Sequence, residues 1–104
     1  MYQVVRTSVR PNLTVDFLET RNLENPVHLD HFIKNYVRTE KHLFRTVEID
    51  ETGLIQTTII VWDSKETWDA FLVDPVMVEM QKTLDDICAS RGITREITSL
   101  TELA

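Results

Sequence analysis

A chain of 104 residues, 42 % apolar and 27 % charged, has the make-up of a single globular domain with one core. Its formal net charge of −6 argues against general nucleic-acid binding, which needs a clustered basic surface. A single cysteine, Cys88, excludes an intrachain disulfide, and no apolar run approaches the roughly 18 residues of a spanning helix.

The opening residues, Met1 to Arg6, lack the basic stretch and apolar run of a secretory leader. The expected location is cytoplasmic or virion-associated. With only Gly53 and Gly92 as glycines, glycine-rich phosphate loops are excluded.

Residues 2–9 alternate as a strand, with Val5, Thr7 and Val9 on one face and Tyr2, Val4, Arg6 and Ser8 on the other. Arg10-Pro11-Asn12 ends it. An extended arm at about 10–25 follows, whose Leu13, Val15 and Phe17 are expected to lay three apolar side chains on another surface. Asn25-Pro26 signals a helix start. Leu29, Phe32, Ile33, Tyr36 and Val37 then carry helical spacing, to about Glu40.

Residues 43–50 and 54–62 form two strands joined by the Glu51-Thr52-Gly53 turn, an antiparallel hairpin. Asp63, Ser64 and Glu66 make an N-terminal cap of the capping-box kind for a short helix with Trp68, Phe71 and Leu72 on one face. Asp74-Pro75 opens a longer helix whose apolar face is Met77, Met80, Leu84, Ile87 and Cys88, closed by Gly92. Residues 93–100 form the last strand. The order βαββαβ, with the second helix broken in two, is the α+β ferredoxin-like arrangement, in which helices cover one face of a four-stranded antiparallel sheet.

Residues 54–62 carry no charge on either face, although a strand with one face in water alternates apolar and polar side chains. Helices cover one face only, so a second copy of the chain is expected on the other.

The stretch TTIIVWDSKETWDAFLVDP, residues 57–75, resembles the strand-turn-helix segment of dimeric α+β barrel proteins, the antibiotic biosynthesis monooxygenase-like group. There a strand ends in an aromatic residue, followed by an acidic cap, a short helix and a proline that opens the longer helix. The likeness is specific over 57–75 and topological elsewhere. It implies a dimeric barrel. Members with oxygenase activity often carry a histidine at the position of Phe71, and the connection between first strand and first helix is longer here; both departures weigh against an inherited activity. The arm from Arg10 to Phe17 is also similar, more loosely, to small phage-encoded proteins of this architecture.

Among candidates for chemistry, Arg6, Arg45, Gln56, Thr58 and Trp62 stand out as ligand-binding or interface residues. Two arginines on a face with Gln56 and Thr58 suit an anion or carboxylate, against which stands cross-strand pairing with Glu48 or Glu96, the favoured reading. Trp62 is a candidate interface residue or cavity wall; Trp68 is expected in the core. His28 and His31, off the apolar stripe, are expected on an exposed polar face, and with His42 they make too weak a pattern for a metal site. Cys88 is expected in the core. No cofactor is implied, and no acid-base set can be assembled from spacing.

Two functions follow. The first is a non-catalytic structural or interaction module, self-associating through its sheet face and arm, possible in an assembly with other structural proteins of a phage or virion. The alternative is a cofactor-independent monooxygenase or small-molecule binder of the dimeric barrel type. A connected pocket lined by Arg6, Gln56 and Trp62 favours the alternative.

Overall fold

The computed structural model describes residues 1–19 and 22–104. Strands β1 (Tyr2–Val9), β2 (His42–Ile49), β3 (Ile55–Trp62) and β4 (Thr94–Glu102) form one antiparallel sheet in the order β2-β3-β1-β4. Helices α1 (Pro26–Phe32), α2 (Lys65–Val73) and α3 (Pro75–Arg91) pack on one face. This is the expected α+β, ferredoxin-like order.

Local chemistry sets the joints. Asn25 caps α1 through Val27 N, and Asp74 caps α3 through Val76 N, each with proline in the first turn. Ser64, not Asp63, caps α2, accepting from Thr67 N at 3.2 Å. Gly92 ends α3 at φ 72°, a left-handed conformation that glycine adopts without steric cost.

The β1–β3 register pairs Tyr2 with Trp62, Val4 with Ile60, Arg6 with Thr58 and Ser8 with Gln56. These pairs line the helix face. Trp62, Trp68, Phe71, Tyr36, Met77 and Met80 form the centre of the core there, with Tyr2 and Val4 beneath. Cys88 is buried, as expected. On the other face, Val61 is buried, Val5, Thr57 and Ile59 are half-buried, and Ile55 and Val9 are exposed.

Three local features depart from the sequence expectation. The first helix does not stay α-helical to Glu40; Ile33–Val37 form a π-helical turn, with Arg38 N bonded to Ile33 O and Lys41 N to Tyr36 O. Asn35 and Thr39 side chains bond to the backbone oxygens of His31 and Asn35, four residues back, a competition that deforms helices. Tyr36 stays buried while Val37, expected on the inner face, is exposed.

The arm is not extended through residues 13–17. Asn12 Oδ1 accepts from both Thr14 N and Thr14 Oγ1, folding a turn that breaks the alternation of Leu13, Val15 and Phe17. Phe17 is buried and Val15 half-buried, but Leu13 is 64 % exposed. Arg10 fixes this turn, donating to Gly53 O and Val15 O and stacking over Phe17 at 4.6 Å. Thr20 and Arg21, also within the expected arm, lie outside the described residues.

His28 is not exposed. Its side chain is turned toward α3, where Nε2 lies 3.0 Å from Glu79 Oε1. The apolar stripe alone hid this, because α1 packs on α3 as well as on the sheet.

Candidate functional site

A partly enclosed cavity of about 200 Å³ lies between the sheet and the helices. Its floor is the helix face of β1 and β3. Because side chains alternate along a strand, Arg6, Ser8, Gln56, Thr58, Ile60 and Trp62 all reach the same space. Leu29 and Phe32 from α1, Trp68 and Phe71 from α2, and Met80 and Leu84 from α3 form the helix side. Leu18, Glu19 and Leu23 bring the arm to the rim. The arm therefore borders the cavity on the helix side of the sheet.

All five ligand or interface candidates, Arg6, Arg45, Gln56, Thr58 and Trp62, line this one cavity. The arm residues Leu13, Val15 and Phe17 do not. Arg6 and Arg45 form no ion pair with Glu48 or Glu96, contrary to the favoured expectation. The register gives the reason: Glu48 lies opposite Thr57 and Glu96 opposite Thr7, on the outer face, whereas Arg6 lies opposite Thr58 and Arg45 opposite Ile60.

The cavity is polarised. At the end floored by Ser8 and Gln56, Arg95 projects from β4, opposite Ser8 in the register. Arg95 is paired, donating to Asp85 Oδ1 and Gln81 Oε1, both at 2.8 Å. Among the described residues Arg6 and Arg45 have no side-chain hydrogen bond or ion pair. Burial, with the neighbouring Arg95 charge, lowers the Arg6 pKa to about 10, so it remains charged at neutral pH. Arg6 is half-buried, and a partly desolvated guanidinium with no hydrogen-bonded anion is held at some cost.

The other end is aromatic. Trp62 is 1 % exposed and touches the rings of Tyr36, His42, Trp68 and Phe71 at centroid distances of 4.9–5.9 Å. Its indole Nε1 is buried and has no hydrogen-bond partner, which is rare for a buried donor.

His42 is the lining residue that sequence reading missed. A register irregularity between His42 and Phe44 places His42, instead of Leu43, opposite Trp62. Such a bulge re-aims a side chain. The imidazole meets Trp62 edge-on at 5.4 Å and Phe32 at 5.2 Å. Burial, reinforced by Arg45, holds its pKa below the ordinary value despite an opposing backbone hydrogen bond. At neutral pH the ring is uncharged and able to accept a proton.

A second, open groove is lined by His31, Tyr36, Lys41, Glu66 and Asp74 among others. There Asp74 Oδ2 accepts from the Tyr36 hydroxyl at 2.6 Å and lies 2.7 Å from His31 Nε2. The polar groups of His31, Tyr36 and Asp74 are spent on one another. Among the described residues no group of three or more His, Cys, Asp or Glu side chains is placed to hold a metal ion. Nor is any described helix long and apolar enough to cross a membrane.

No family model matches the sequence, and no curated protein matches it. Solved structures do match the fold. A candidate antibiotic biosynthesis monooxygenase from Deinococcus radiodurans superposes with a TM-score of 0.56 at 15 % identity, over 100 % of this chain and 93 % of that one. Another chain, an antibiotic biosynthesis monooxygenase, gives a TM-score of 0.45 at 12 % identity, over 95 % of this chain and 97 % of that one. The chain has the ferredoxin-like α+β fold of monooxygenase-type structures. The likeness is one of fold, and it lends nothing to the similarity with phage-encoded proteins.

Proposed function

We propose that the protein binds a small molecule in the cavity between its sheet and helices, as a member of the dimeric α+β barrel type. The observation that carries this reading is the cavity itself: about 200 Å³ left unfilled beside a close-packed aromatic cluster. Close packing leaves few spaces of this size between a sheet and the helices that cover it. A module that worked only through its outer surface would need no such space. A single apolar ring fits a void of ~150 Å³, whereas drug-sized ligands occupy roughly 300–1,000 Å³. The expected ligand is therefore near one ring in size.

A second reading, cofactor-independent monooxygenation of such a ligand, is favoured by His42. A neutral imidazole among aromatic walls can take a proton from a phenol hydroxyl turned toward it, and Arg45, whose charge acts on His42, can stabilise the phenolate. Oxygen would be the co-reactant and oxidant: one of its atoms enters the ring, the other leaves as water, and the phenol, losing the electrons and hydrogens, becomes a quinone.

The experiment is a titration with one-ring phenols and neutral one-ring compounds, followed by tryptophan fluorescence and by an oxygen electrode. Saturable quenching is expected in the wild type and a loss of roughly tenfold or more in affinity in Thr58→Phe, which fills the cavity floor. Quenching that is unchanged in Thr58→Phe contradicts the site. Oxygen uptake supports the second reading; binding without uptake leaves the protein a binder.

The outer sheet face is proposed to be covered by a second copy of the chain. Its centre of Val5, Thr57 and Ile59 carries no charge, so two copies can meet there about a two-fold axis without like-charge repulsion at that centre. Light scattering across a dilution series is expected to return twice the chain mass. A monomer at every concentration overturns this.

A further inference from the structure

We propose that the ligand is a one-ring organic anion, a carboxylate or phenolate, bound with its charged group at Arg6 and its ring toward Trp62 and Phe71. The inference rests on the proposal that the cavity is a ligand site and adds the chemical class and the orientation.

Three observations carry it. The first is charge. Of the arginines on the cavity wall, Arg95 is already neutralised by Asp85 at 2.8 Å. Arg6, central on the floor between Thr58 and Ile97 in the sheet, has no described partner for any of its donors. Its neighbour Arg95 adds repulsion, which the Asp85 charge offsets only in part. A guanidinium presents paired N–H groups that match a carboxylate two at a time. An anion entering the cavity would gain a charge-assisted pair with this half-buried guanidinium.

The second is direction. From Gln56 to Trp62 the β3 floor changes from polar to aromatic, and β1 repeats the gradient from Ser8 through Arg6 to Val4. Trp62 lies four residue steps beyond Thr58 on β3, roughly 13 Å at the rise of a strand. One ring with one short acidic group fits within that span. A second charged group at the far end would meet Trp62 and Phe71 and lose its hydration without compensation.

The third is the choice of anion. The cavity of about 200 Å³ is too small for most nucleotides or long acyl chains. Phosphate monoesters carry more charge than Arg6 alone can balance, since Arg95 is engaged and Arg45 is largely exposed. A monoanion matches the supply.

The test compares benzoate, benzamide and toluene by calorimetry on the wild type and on Arg6→Gln. The three differ little in shape, so only the charge and polarity at one end change. Benzoate is expected to bind the wild type roughly tenfold or more tighter than benzamide, the discrimination typical of one charged hydrogen-bonded contact. Arg6→Gln is expected to erase that preference, bringing benzoate and benzamide to within about twofold of each other. Equal affinities for benzoate and benzamide in the wild type overturn the anion assignment. If toluene still binds and is excluded by Thr58→Phe, the cavity reading survives that failure; if none of the three binds, the cavity reading fails with it. The wild-type comparison needs no variant, so poor folding of Arg6→Gln cannot rescue the proposal. An Arg45→Gln variant that loses the preference while Arg6→Gln keeps it also overturns the placement of the charged group.

Discussion

Trp62→Ala is expected to destabilise the protein by about 3–5 kcal/mol, the cost of truncating a fully buried large aromatic side chain. Trp62 is 1 % exposed and is the ring that Tyr36, His42, Trp68 and Phe71 share. These neighbours come from the π-helical turn, β2 and α2, so removing the indole leaves a hole bordered by three elements that cannot all move inward. Aromatic pairing adds to the burial, roughly 0.5–1.5 kcal/mol for each well-placed pair. Because a domain of this size is stable by only about 5–15 kcal/mol, the variant should sit near the edge of folding. Urea denaturation followed by far-UV circular dichroism measures this. Trp62→Phe should recover much of the loss, since it keeps a ring and removes the unpartnered Nε1. A loss below about 1 kcal/mol for the alanine variant would mean that the aromatic cluster is not the keystone of the core.

Asp74→Ala is expected to cost about 2–4 kcal/mol. Three interactions end together: the cap on Val76 N, the hydrogen bond from the Tyr36 hydroxyl and the contact with His31. Loss of an N-cap alone costs about 1 kcal/mol, and a part-buried hydroxyl that loses its charged acceptor adds roughly 1–2 kcal/mol. Asp74→Asn keeps an acceptor and a good cap, so it should cost less.

The pH dependence follows from the same contacts. Burial tends to raise the Asp74 pKa, but the hydrogen bonds from Tyr36, His31 and Val76 N outweigh it and hold the carboxyl below its ordinary value of 3.8. The opposite partner agrees: burial, with the hydrogen bond to Asp74 and its charge, raises the Tyr36 pKa. A carboxylate whose folded pKa is depressed stabilises the fold fully above the unfolded pKa and loses that contribution as pH falls through the folded one. The stability gap between wild type and Asp74→Ala should therefore be constant at neutral pH and shrink below about pH 4. A gap that keeps its full neutral-pH size however far the pH is lowered would mean that the carboxylate charge is not what the site uses.

The alternation of strands, the proline-opened helices and the Asp74 and Gly92 caps were legible because each is a local signal with a fixed period or position. From them follow the element order and the face of β1 and β3 that carries Arg6, Gln56, Thr58 and Trp62. The favoured pairing of Arg6 and Arg45 with Glu48 and Glu96 failed because it ignored pairing register, which decides the face on which opposite charges lie and which no single strand contains. His42 escaped notice for a related reason: one irregularity in β2 swaps it with Leu43, and nothing in KHLFR announces it. The π-helical turn depends on side chains bonding back to the helix backbone, an option that Asn35 and Thr39 merely permit. The arm was misread because Leu13, Val15 and Phe17 look like a strand until Asn12 folds the turn. His28 was misplaced because helix periodicity identifies one buried stripe, whereas α1 is covered on two sides.

The most direct test of the ligand site is the chemical-shift map of the ¹⁵N-labelled wild-type protein as benzoate is added. The account predicts saturable shifts at the Trp62 and Trp68 indole N–H groups and at the backbone of Thr58, Ile60 and Arg6, with little change at Ile55, Val9 or the His31–Asp74 groove. Shifts confined to the outer sheet face or to that groove, or none at millimolar ligand, would contradict it.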